Sequence, residues 1–539
     1  MRRSSILTIA VVSCLLFGVA AMRLNLRLSA AFAAQAATPQ DAKLRPVNAT
    51  PSTTVKTTEI PSLQPSSLQL SPPSSSLLTQ SRLQLSLEPS IPTSTPSATE
   101  IYTAKRGESI PAVAHQYLHR TAYLTSSELA EAIRALNGNR STNILKNGEQ
   151  ITIPGILPAP IVEKTVPVPK DFEVRAIYLT GIMAASDHGL RIIRHWREVG
   201  GNAVVFDIKD SDGSVTIPFE HPLLGKHQVY IHDLPKFIHF LHSENMHAIA
   251  RVAIFRDERM VVEHPELAVK SKKTGQPWRE NGKLVWTDSS NPKVQDYNIA
   301  LAKFVAQSGA DEIQFDYVRF PAEGDQKDAS FVFQTENPTW QRSDVIVNFL
   351  KKAYAELHPT GALLSLDVFG VMAWQRQVDL SHTGQDIVGM AKYCDVLSPM
   401  IYPSHFFGMD NIQHPGDAPE HFIGESMQRF ELITHPDGNK STGVVIRPWL
   451  QAFRWRTKTY SPEYIKVQVA TAREKGGIGF LFWNAANDYS KPYEAMPEMK
   501  AASAKNKDKF FRGDELPATT VKANLTPASV PAAAEAGNH

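Results

Sequence analysis

The chain has 539 residues, of which 42% are hydrophobic and 20% charged, and its formal net charge is +2. This length leaves room for about two domains with linkers. The small net charge gives no reason to expect nucleic acid or another acidic polymer as a partner.

The N-terminus predicts a targeting segment. Arg2 and Arg3 precede an apolar run over residues 6–22, and small residues at 31–34 offer a cleavage site. We favour a cleaved signal peptide within residues 1–35. An uncleaved membrane anchor through residues 6–22 is the alternative, because the run is just long enough to span a bilayer. Both outcomes predict a secreted, periplasmic or cell-envelope protein.

Two segments are too polar and too rich in Ser, Thr, Pro or Ala to form a core. Residues 36–99 are predicted to be an extended linker, and residues 501–539 a disordered tail. Neither segment is expected to carry chemistry.

Residues 100–156 are predicted to form a small α/β unit. A short strand, two helices and a closing strand follow one another, with Gly107 in the first turn and the sequence "ITIP" in the last strand. This βααβ order, with Tyr102, Gly107 and Asn137, resembles a LysM module. The resemblance implies binding of the N-acetylglucosamine chains of peptidoglycan or chitin. A generic small linker domain is the alternative.

Residues 171–500 alternate apolar strands with helices. Eight strands are predicted, at residues 174–181, 202–209, 247–255, 311–320, 362–370, 395–402, 443–453 and 477–484. Eight nearly continuous apolar strands joined by helices favour a (β/α)8 TIM barrel within the α/β class. An open doubly wound sheet is the alternative, but it would require a glycine-rich first turn that is absent here.

Two acidic residues at the ends of neighbouring strands, Asp316 and Asp367, are the predicted catalytic pair. In a barrel the chemistry lies at the C-terminal ends of the strands, which form its mouth. Glycosidic cleavage needs one carboxyl to protonate the leaving oxygen and another to attack the anomeric carbon or activate water. The adjacent strands suit a retaining enzyme, although an inverting geometry stays open. Arg319 is expected to keep Asp316 ionised, and a purely structural pair of these two residues is the alternative.

Further polar and aromatic residues lie near the same strand ends. Trp and Tyr rings stack on the apolar faces of sugars. The residues predicted to bind substrate are Asp207, Lys209, Arg251, Arg319, Tyr402, Trp449 and Trp483. An internal ion pair between Asp207 and Lys209 is the structural alternative. No metal or cofactor is predicted, because the sequence contains no HExxH motif and no cluster of Cys and His.

Three segments, "GADEIQFDYVRFP", "NAVVFDIKDSDGSV" and "SLDVFG", resemble bacterial glycoside hydrolase barrels long catalogued as a domain of unknown function. The resemblance covers residues 171–500 and implies a TIM barrel with Asp316 as a catalytic residue. Chitinase-like barrels carry D-x-x-D-x-D-x-E on strand four, and here Val318 replaces the final Glu. Their substrate-assisted mechanism therefore cannot operate from this strand, and Asp367 is the best candidate for the acid.

These features together predict an exported glycoside hydrolase that acts on a polysaccharide or a peptidoglycan-like glycan. The main alternative is a non-catalytic carbohydrate-binding or envelope scaffold protein with a degenerate barrel. A wall amidase or deacetylase is a third hypothesis, and the missing metal motif argues against it.

Overall fold

The computed structural model describes residues 98–139, 142–438 and 443–504. The predicted targeting segment and nearly all of the predicted linker lie outside these residues. The predicted tail also lies outside them, except for its first four residues, which continue the last helix. Within the described ranges, no helix is long and apolar enough to cross a membrane.

A small α/β unit precedes the barrel. It consists of β1 (Ala98–Thr103), α1 (Ile110–Tyr117), α2 (Ser126–Leu136) and β2 (Gln150–Ile156), in the predicted order. The strands β1 and β2 pair in antiparallel fashion, and the two helices pack their apolar faces against them.

The main sheet is a closed parallel barrel. Its strands are β3 (Arg175–Leu179), β4 (Ala203–Lys209), β5 (His247–Ala253), β7 (Glu312–Asp316), β9 (Leu363–Phe369), β10 (Val396–Met400), β11 (Val445–Ile446), β12 (Trp449–Gln451) and β13 (Phe480–Trp483). β11 and β12 together occupy the seventh position, because both pair with β10. β13 pairs with β3 and so closes the circle. The predicted (β/α)8 barrel is confirmed. A separate antiparallel pair, β6 (Lys270–Ser271) and β8 (Ala329–Ser330), lies outside the barrel sheet.

Helices follow the strands and cover the barrel. They are α3 (Gly181–Ala184), α4 (Asp187–Glu198), α5 (Leu234–Ser243), α6 (Glu258–Glu263), α7 (Pro292–Gln307), α8 (Phe333–Glu336), α9 (Arg342–Leu357), α10 (Gln377–Thr383), α11 (Ile387–Met390), α12 (Pro419–Thr434), α13 (Pro462–Glu474) and α14 (Ser490–Ala504). Side-chain oxygens of Ser186, Asp233 and Ser461 cap α4, α5 and α13 by accepting hydrogen bonds from backbone N–H groups of the first turn.

The fourth and seventh strands differ most from their predicted extents. The fourth strand ends at Asp316, four residues earlier than predicted, because Tyr317 adopts a left-handed conformation with φ of 52°. The seventh strand is interrupted at Arg447 and Pro448, where proline cannot donate a ladder hydrogen bond.

Strand β7 shows how a charged sequence fits a barrel. Ile313 and Phe315 belong to the apolar layer between the barrel and its helices. The alternate residues Glu312, Gln314 and Asp316 therefore face the barrel interior, because side chains alternate along a strand. The polar residues of this stretch accordingly belong to successive interior layers of the barrel.

The small unit contacts the outside of the barrel through the segment that joins its two helices. Leu118 accepts a hydrogen bond through its carbonyl from Lys236 Nζ on α5 at 2.8 Å. Thr125 donates to Asp187 at the start of α4. These contacts link the small unit to the two helices that follow the first and second barrel strands.

Candidate active site

The deepest charged layer of the barrel interior is an ion pair. Arg447 donates from Nη1 to both carboxylate oxygens of Glu312, at 2.9 and 2.8 Å, and both side chains are fully buried. Burial opposes ionisation of Glu312, but Arg447 and then His247 lower its pKa to about 2. This layer has no access to solvent and supports the mouth from below.

Asp316 lies four residues beyond Glu312 on the same strand, at the mouth. Arg251 on β5 donates to its Oδ2 from Nη2 at 2.6 Å and from Nε at 3.1 Å. The backbone N–H of Tyr317 donates to Oδ1 at 2.6 Å. Charge-assisted hydrogen bonds from a guanidinium are strong and directional, so Arg251 fixes the orientation of the Asp316 carboxyl group.

Arg319 is not the partner of Asp316, and the predicted pairing is wrong. Its guanidinium lies over the rings of Phe369, at 4.4 Å, and Trp286, at 4.8 Å, and donates to the carbonyl of Phe320 at 3.0 Å. The left-handed turn at Tyr317 ends the strand before Arg319, which therefore no longer follows the inward face of β7. Its predicted role in substrate binding stays a prediction.

A hydrogen-bonded chain holds Arg251 in place. Asp207 on β4 accepts from Arg251 Nη1 through Oδ1 at 2.5 Å, and from the hydroxyl of Tyr178 on β3 through Oδ2 at 2.5 Å. Burial of Asp207 outweighs the opposing charge of Arg251 and raises its pKa to about 7. Arg251 thus bridges two carboxyl groups, one buried and one at the mouth.

Lys209 points away from the mouth. Its ammonium group is fully buried, 2.8 Å from Oδ2 of Asp257, and donates to Asn298 on the covering helix α7 at 3.0 Å. The pairing of β4 with β5 shifts register between Asp207 and Lys209, so the two residues do not share a face. The position of Lys209 does not fit the predicted contact with substrate, and Asp207 pairs with Arg251 instead of Lys209.

Asp367 occupies the neighbouring strand β9 and is buried. The indole N–H of Trp449 on β12 donates to its Oδ1 at 2.7 Å. Burial, and then the negative charge of Asp316, raise the pKa of Asp367 well above its usual range. The protonated form is therefore favoured at Asp367.

Aromatic rings line the interior around these groups. Trp483 on β13 is half-buried, stacks on Tyr178 with ring centroids 4.1 Å apart, and meets Trp449 edge to face at 5.6 Å. Arg251 lies 5.4 Å from the Trp483 ring centroid. Tyr402 belongs to the same interior apolar cluster.

The structure thus brings most of the predicted site residues together and leaves two apart. The residues that share the mouth and interior are Asp207, Arg251, Asp316, Asp367, Tyr402, Trp449 and Trp483. Trp449 is only 1% exposed, and its indole N–H donates the hydrogen bond to Asp367. Tyr178 is a site residue that the sequence reading missed. The alternation of side chains along β3 could have identified it, because it places Tyr178 on the same face as Ala176.

The residues that the structure describes contain no group of three or more His, Cys, Asp and Glu side chains placed to hold a metal ion.

A closed parallel barrel with two carboxyl groups in unlike environments at its mouth is the arrangement of a glycosidase-type TIM-barrel protein. Residues 176–489 match the family described as "Putative glycosyl hydrolase domain". The chain belongs to this family. No match was found among curated proteins.

Several solved structures are similar to this chain. A hypothetical protein from Ruminiclostridium thermocellum ATCC 27405 is 36% identical over 36% of this chain and 97% of that chain, with a TM-score of 0.32. The PgaB (BpsB) glycoside hydrolase domain from Bordetella bronchiseptica is 14% identical and covers 60% of this chain and 99% of that chain, with a TM-score of 0.45. The PelA glycoside hydrolase domain from Pseudomonas aeruginosa is 11% identical, with coverages of 59% and 96% and a TM-score of 0.35.

Proposed function

We propose that this protein hydrolyses glycosidic bonds in a polysaccharide or cell-wall glycan, with Asp367 as the general acid and Asp316 as the nucleophile or base. One observation carries the proposal: two carboxyl groups on adjacent strands have unlike surroundings. Arg251 donates two hydrogen bonds to Asp316, whereas burial and then the negative charge of Asp316 raise the pKa of Asp367. A carboxyl group with a raised pKa can serve as the general acid beside a second carboxyl group in a different environment.

The reaction would use the two groups in sequence. Asp367 donates its proton to the glycosidic oxygen as the bond to the anomeric carbon breaks. The Asp316 carboxylate either attacks that carbon or removes a proton from the water that does. In the first case, deprotonated Asp367 then takes a proton from the water that releases the sugar from Asp316. Both routes consume one water. The covalent route returns both carboxyls to their starting states, whereas in the other route Asp316 must release its proton to solvent and Asp367 must take one up before the next turnover.

The surrounding residues would have distinct roles. The half-buried ring of Trp483 offers an apolar surface for a sugar ring at the mouth. Asp207 is only 1% exposed and contacts Arg251, so we assign it to holding Arg251 rather than to touching substrate. Arg251 is fixed by this contact and in turn orients the Asp316 carboxylate.

The small unit would hold the enzyme on its substrate. Its βααβ order supports a LysM-like role in glycan binding, and the N-terminal sequence supports export to the cell envelope. A binding unit joined to a catalytic barrel raises the local concentration of substrate, even where each contact is weak.

Asp316→Asn tests the proposal. Purified wild-type protein and the variant are incubated with isolated cell-wall glycan, and the soluble reducing sugar released is measured. The change is expected to lower the rate at least about 10³-fold, because the amide cannot act as nucleophile or base. Asp296→Asn, on the exposed face of α7, is the matched control and should keep full activity.

Two results would contradict the assignment. Unchanged sugar release by Asp316→Asn would remove Asp316 from the mechanism. If neither protein released sugar while both bound the wall material, the non-catalytic scaffold hypothesis would replace the enzyme.

A further inference from the structure

Four half-buried aromatic side chains lie on the two loops that follow the sixth and seventh barrel strands. We call them the aromatic platform: His405, Phe407, Phe453 and Trp455. The His405 ring centroid lies 4.8 Å from that of Trp455 and 6.1 Å from that of Phe453. The Phe407 and Trp455 centroids are 5.9 Å apart. The four rings therefore form one continuous surface.

The platform is joined to the candidate active site through packed aromatic rings. Phe453 meets Tyr402 edge to face, with centroids 5.7 Å apart. Both belong to the interior cluster that contains Trp449, which donates a hydrogen bond to the acid Asp367. A glycan chain that leaves the catalytic carboxyls toward strands six and seven would therefore reach the platform.

Buried polar contacts hold the two loops of the platform together. The side chain of Gln451, which is fully buried, accepts from the Ser404 N–H at 3.2 Å and donates to the Phe453 carbonyl at 3.0 Å. Gly416 approaches so closely that a Cβ at that position would lie 2.1 Å from the carbonyl oxygen of Arg456. Asp417 Oδ1 accepts from the backbone N–H of Lys458 at 2.7 Å. The rings are thus held in place before any ligand binds, which lowers the entropy cost of binding.

The platform carries exposed positive charge. Residues 453–456 alternate aromatic and basic side chains, and Lys458 follows after Thr457; Arg454, Arg456 and Lys458 are exposed. The Arg456 guanidinium lies over Phe407, at 3.9 Å, and over Trp455, at 4.6 Å. Across the described part of the chain, no carboxylate forms an ion pair with any of these three cations. The net charge of +2 conceals this local excess.

The two acidic residues in the segment between the sixth strand and α12 are already engaged. Asp410 pairs with His421 at 2.8 Å. Asp417 accepts hydrogen bonds from Thr457, Lys458 and Thr459. Neither is within ion-pair distance of Arg456, so the guanidinium keeps donors for a ligand.

We propose that the aromatic platform is a substrate subsite that stacks a sugar ring of an acidic glycan, with Arg456 pairing with the carboxylate of that sugar. Aromatic faces bind the apolar face of a pyranose, and a guanidinium binds a carboxylate in a planar, two-point contact. Burial, and then the charge of Arg456, lower the pKa of His405 to about 4, so near neutral pH its ring offers an uncharged hydrogen-bonding edge to a hydroxyl group. The carboxylate can come from a uronic acid or from the lactyl ether of a muramic acid.

The subsite deepens the proposed function, since it names the substrate class, but its binding can be measured without turnover. Full-length protein carrying Asp316→Asn is titrated calorimetrically with three defined probes. They are peptide-free peptidoglycan glycan strands, oligogalacturonates and neutral chito-oligosaccharides. Trp455→Ala and Arg456→Asn are compared in this background. Asn is chosen because Arg456 has a φ of 48°, which Asn tolerates.

The subsite predicts a specific pattern of affinities. Trp455→Ala is expected to weaken binding of at least one acidic probe about tenfold or more. Arg456→Asn should weaken the same probe, leave the neutral probe unchanged, and reduce the salt dependence of binding. Trp340→Ala changes an exposed tryptophan elsewhere, and Arg191→Gln removes an exposed charge on α4. Both are matched controls and should bind like the parent.

The outcomes separate the subsite from catalysis. The subsite is overturned if neither acidic probe binds, or if Trp455→Ala and Arg456→Asn bind them as the parent does. It is also overturned if the neutral probe loses as much affinity with Arg456→Asn, or if single-stranded oligothymidylate is the tighter, Trp455-dependent ligand. The uronate and muramate sources are told apart by which acidic probe binds. If wild-type protein releases no sugar although the expected affinities are found, the subsite stands and the proposed hydrolysis fails.

Discussion

Asp316 and Asp367 have the same side chain and lie on adjacent strands, yet their surroundings differ. The difference comes from single neighbours. Arg251 contributes two hydrogen bonds to Asp316, whereas buried Asp367 accepts a hydrogen bond from the indole of Trp449.

Trp449→Phe is expected to move the alkaline limb of the pH–rate profile to higher pH. The indole N–H stabilises ionised Asp367, so its loss raises further a pKa that burial and Asp316 already hold above the usual range. An acid catalyst is active below its pKa and loses activity as pH rises through it. The measurement is kcat/KM against pH for wild type and variant, with Trp340→Phe as the control. A limb that stayed in place or moved to lower pH would contradict the acid assignment.

Arg251→Lys is expected to lower kcat/KM about 100-fold. An ammonium group cannot donate at the same time to Asp207 and Asp316 as the planar guanidinium does. Arg319→Lys is the comparison, because Arg319 donates to a backbone carbonyl and not to Asp316. We expect Arg319→Lys to lower kcat/KM less than tenfold. A larger loss of kcat/KM for Arg319→Lys than for Arg251→Lys would instead support the pairing of Asp316 with Arg319 that the sequence suggested.

At the scale of elements, β7 places one charged residue in the deepest layer and another at the mouth. Glu312 and Asp316 are four residues apart on the same inward face, with Gln314 between them. The deep layer can serve only structure, because its groups are fully buried and paired. The mouth layer is free to serve chemistry.

Glu312→Gln is expected to destabilise the barrel by about 3–5 kcal/mol. The change leaves Arg447 as a buried charge without its carboxylate partner. An unpaired buried charge is strongly destabilising. Urea unfolding of wild type, Glu312→Gln and the double variant Glu312→Gln, Arg447→Met measures this. The double variant should recover part of the loss, since it removes the unpaired charge. Equal stability of single variant and wild type would show that the pair contributes nothing net.

At the scale of the whole molecule, the connector after the small unit is tied to the barrel by two histidines, one half-buried and one buried. Glu163 in this connector lies 2.6 Å from His239 and 3.3 Å from His242, both on α5. His242 also lies 2.9 Å from Asp311, at the start of the fourth strand. This network joins three separate segments of the chain.

Removal of His242 is expected to cost stability in a pH-dependent way. Burial disfavours its charge, but Asp311 and then Glu163 raise its pKa from 6.5 to about 9. The stabilisation is therefore complete below pH 6.5 and is lost as pH rises through 9. The difference in unfolding free energy between wild type and His242→Gln should shrink between pH 6 and pH 10 by up to about 3 kcal/mol.

His188→Gln, an exposed histidine on α4, is the control for that experiment and should show little pH-dependent change. A His242→Gln difference that was constant across the range would mean that His242 is not charged in the folded protein.

The contribution of Glu163 to stability has the opposite dependence on pH. Burial raises its pKa, but His239 and His242 together lower it from 4.5 to about 2, so its contribution is lost as pH falls through that range.

The alternation of apolar strands and helices by itself determined the fold class, because periodicity and helix-end residues are local properties of the chain. The same reading placed Asp316 and Asp367 at strand ends, since strand ends follow from the same local pattern. Only the tertiary structure decided which charges meet. One left-handed residue, Tyr317, ended the fourth strand early, and one register shift after Asp207 turned Lys209 outward. The partner of Asp316 is therefore Arg251, which lies 65 residues away along the chain and reaches it only because β5 and β7 are neighbours in the closed barrel.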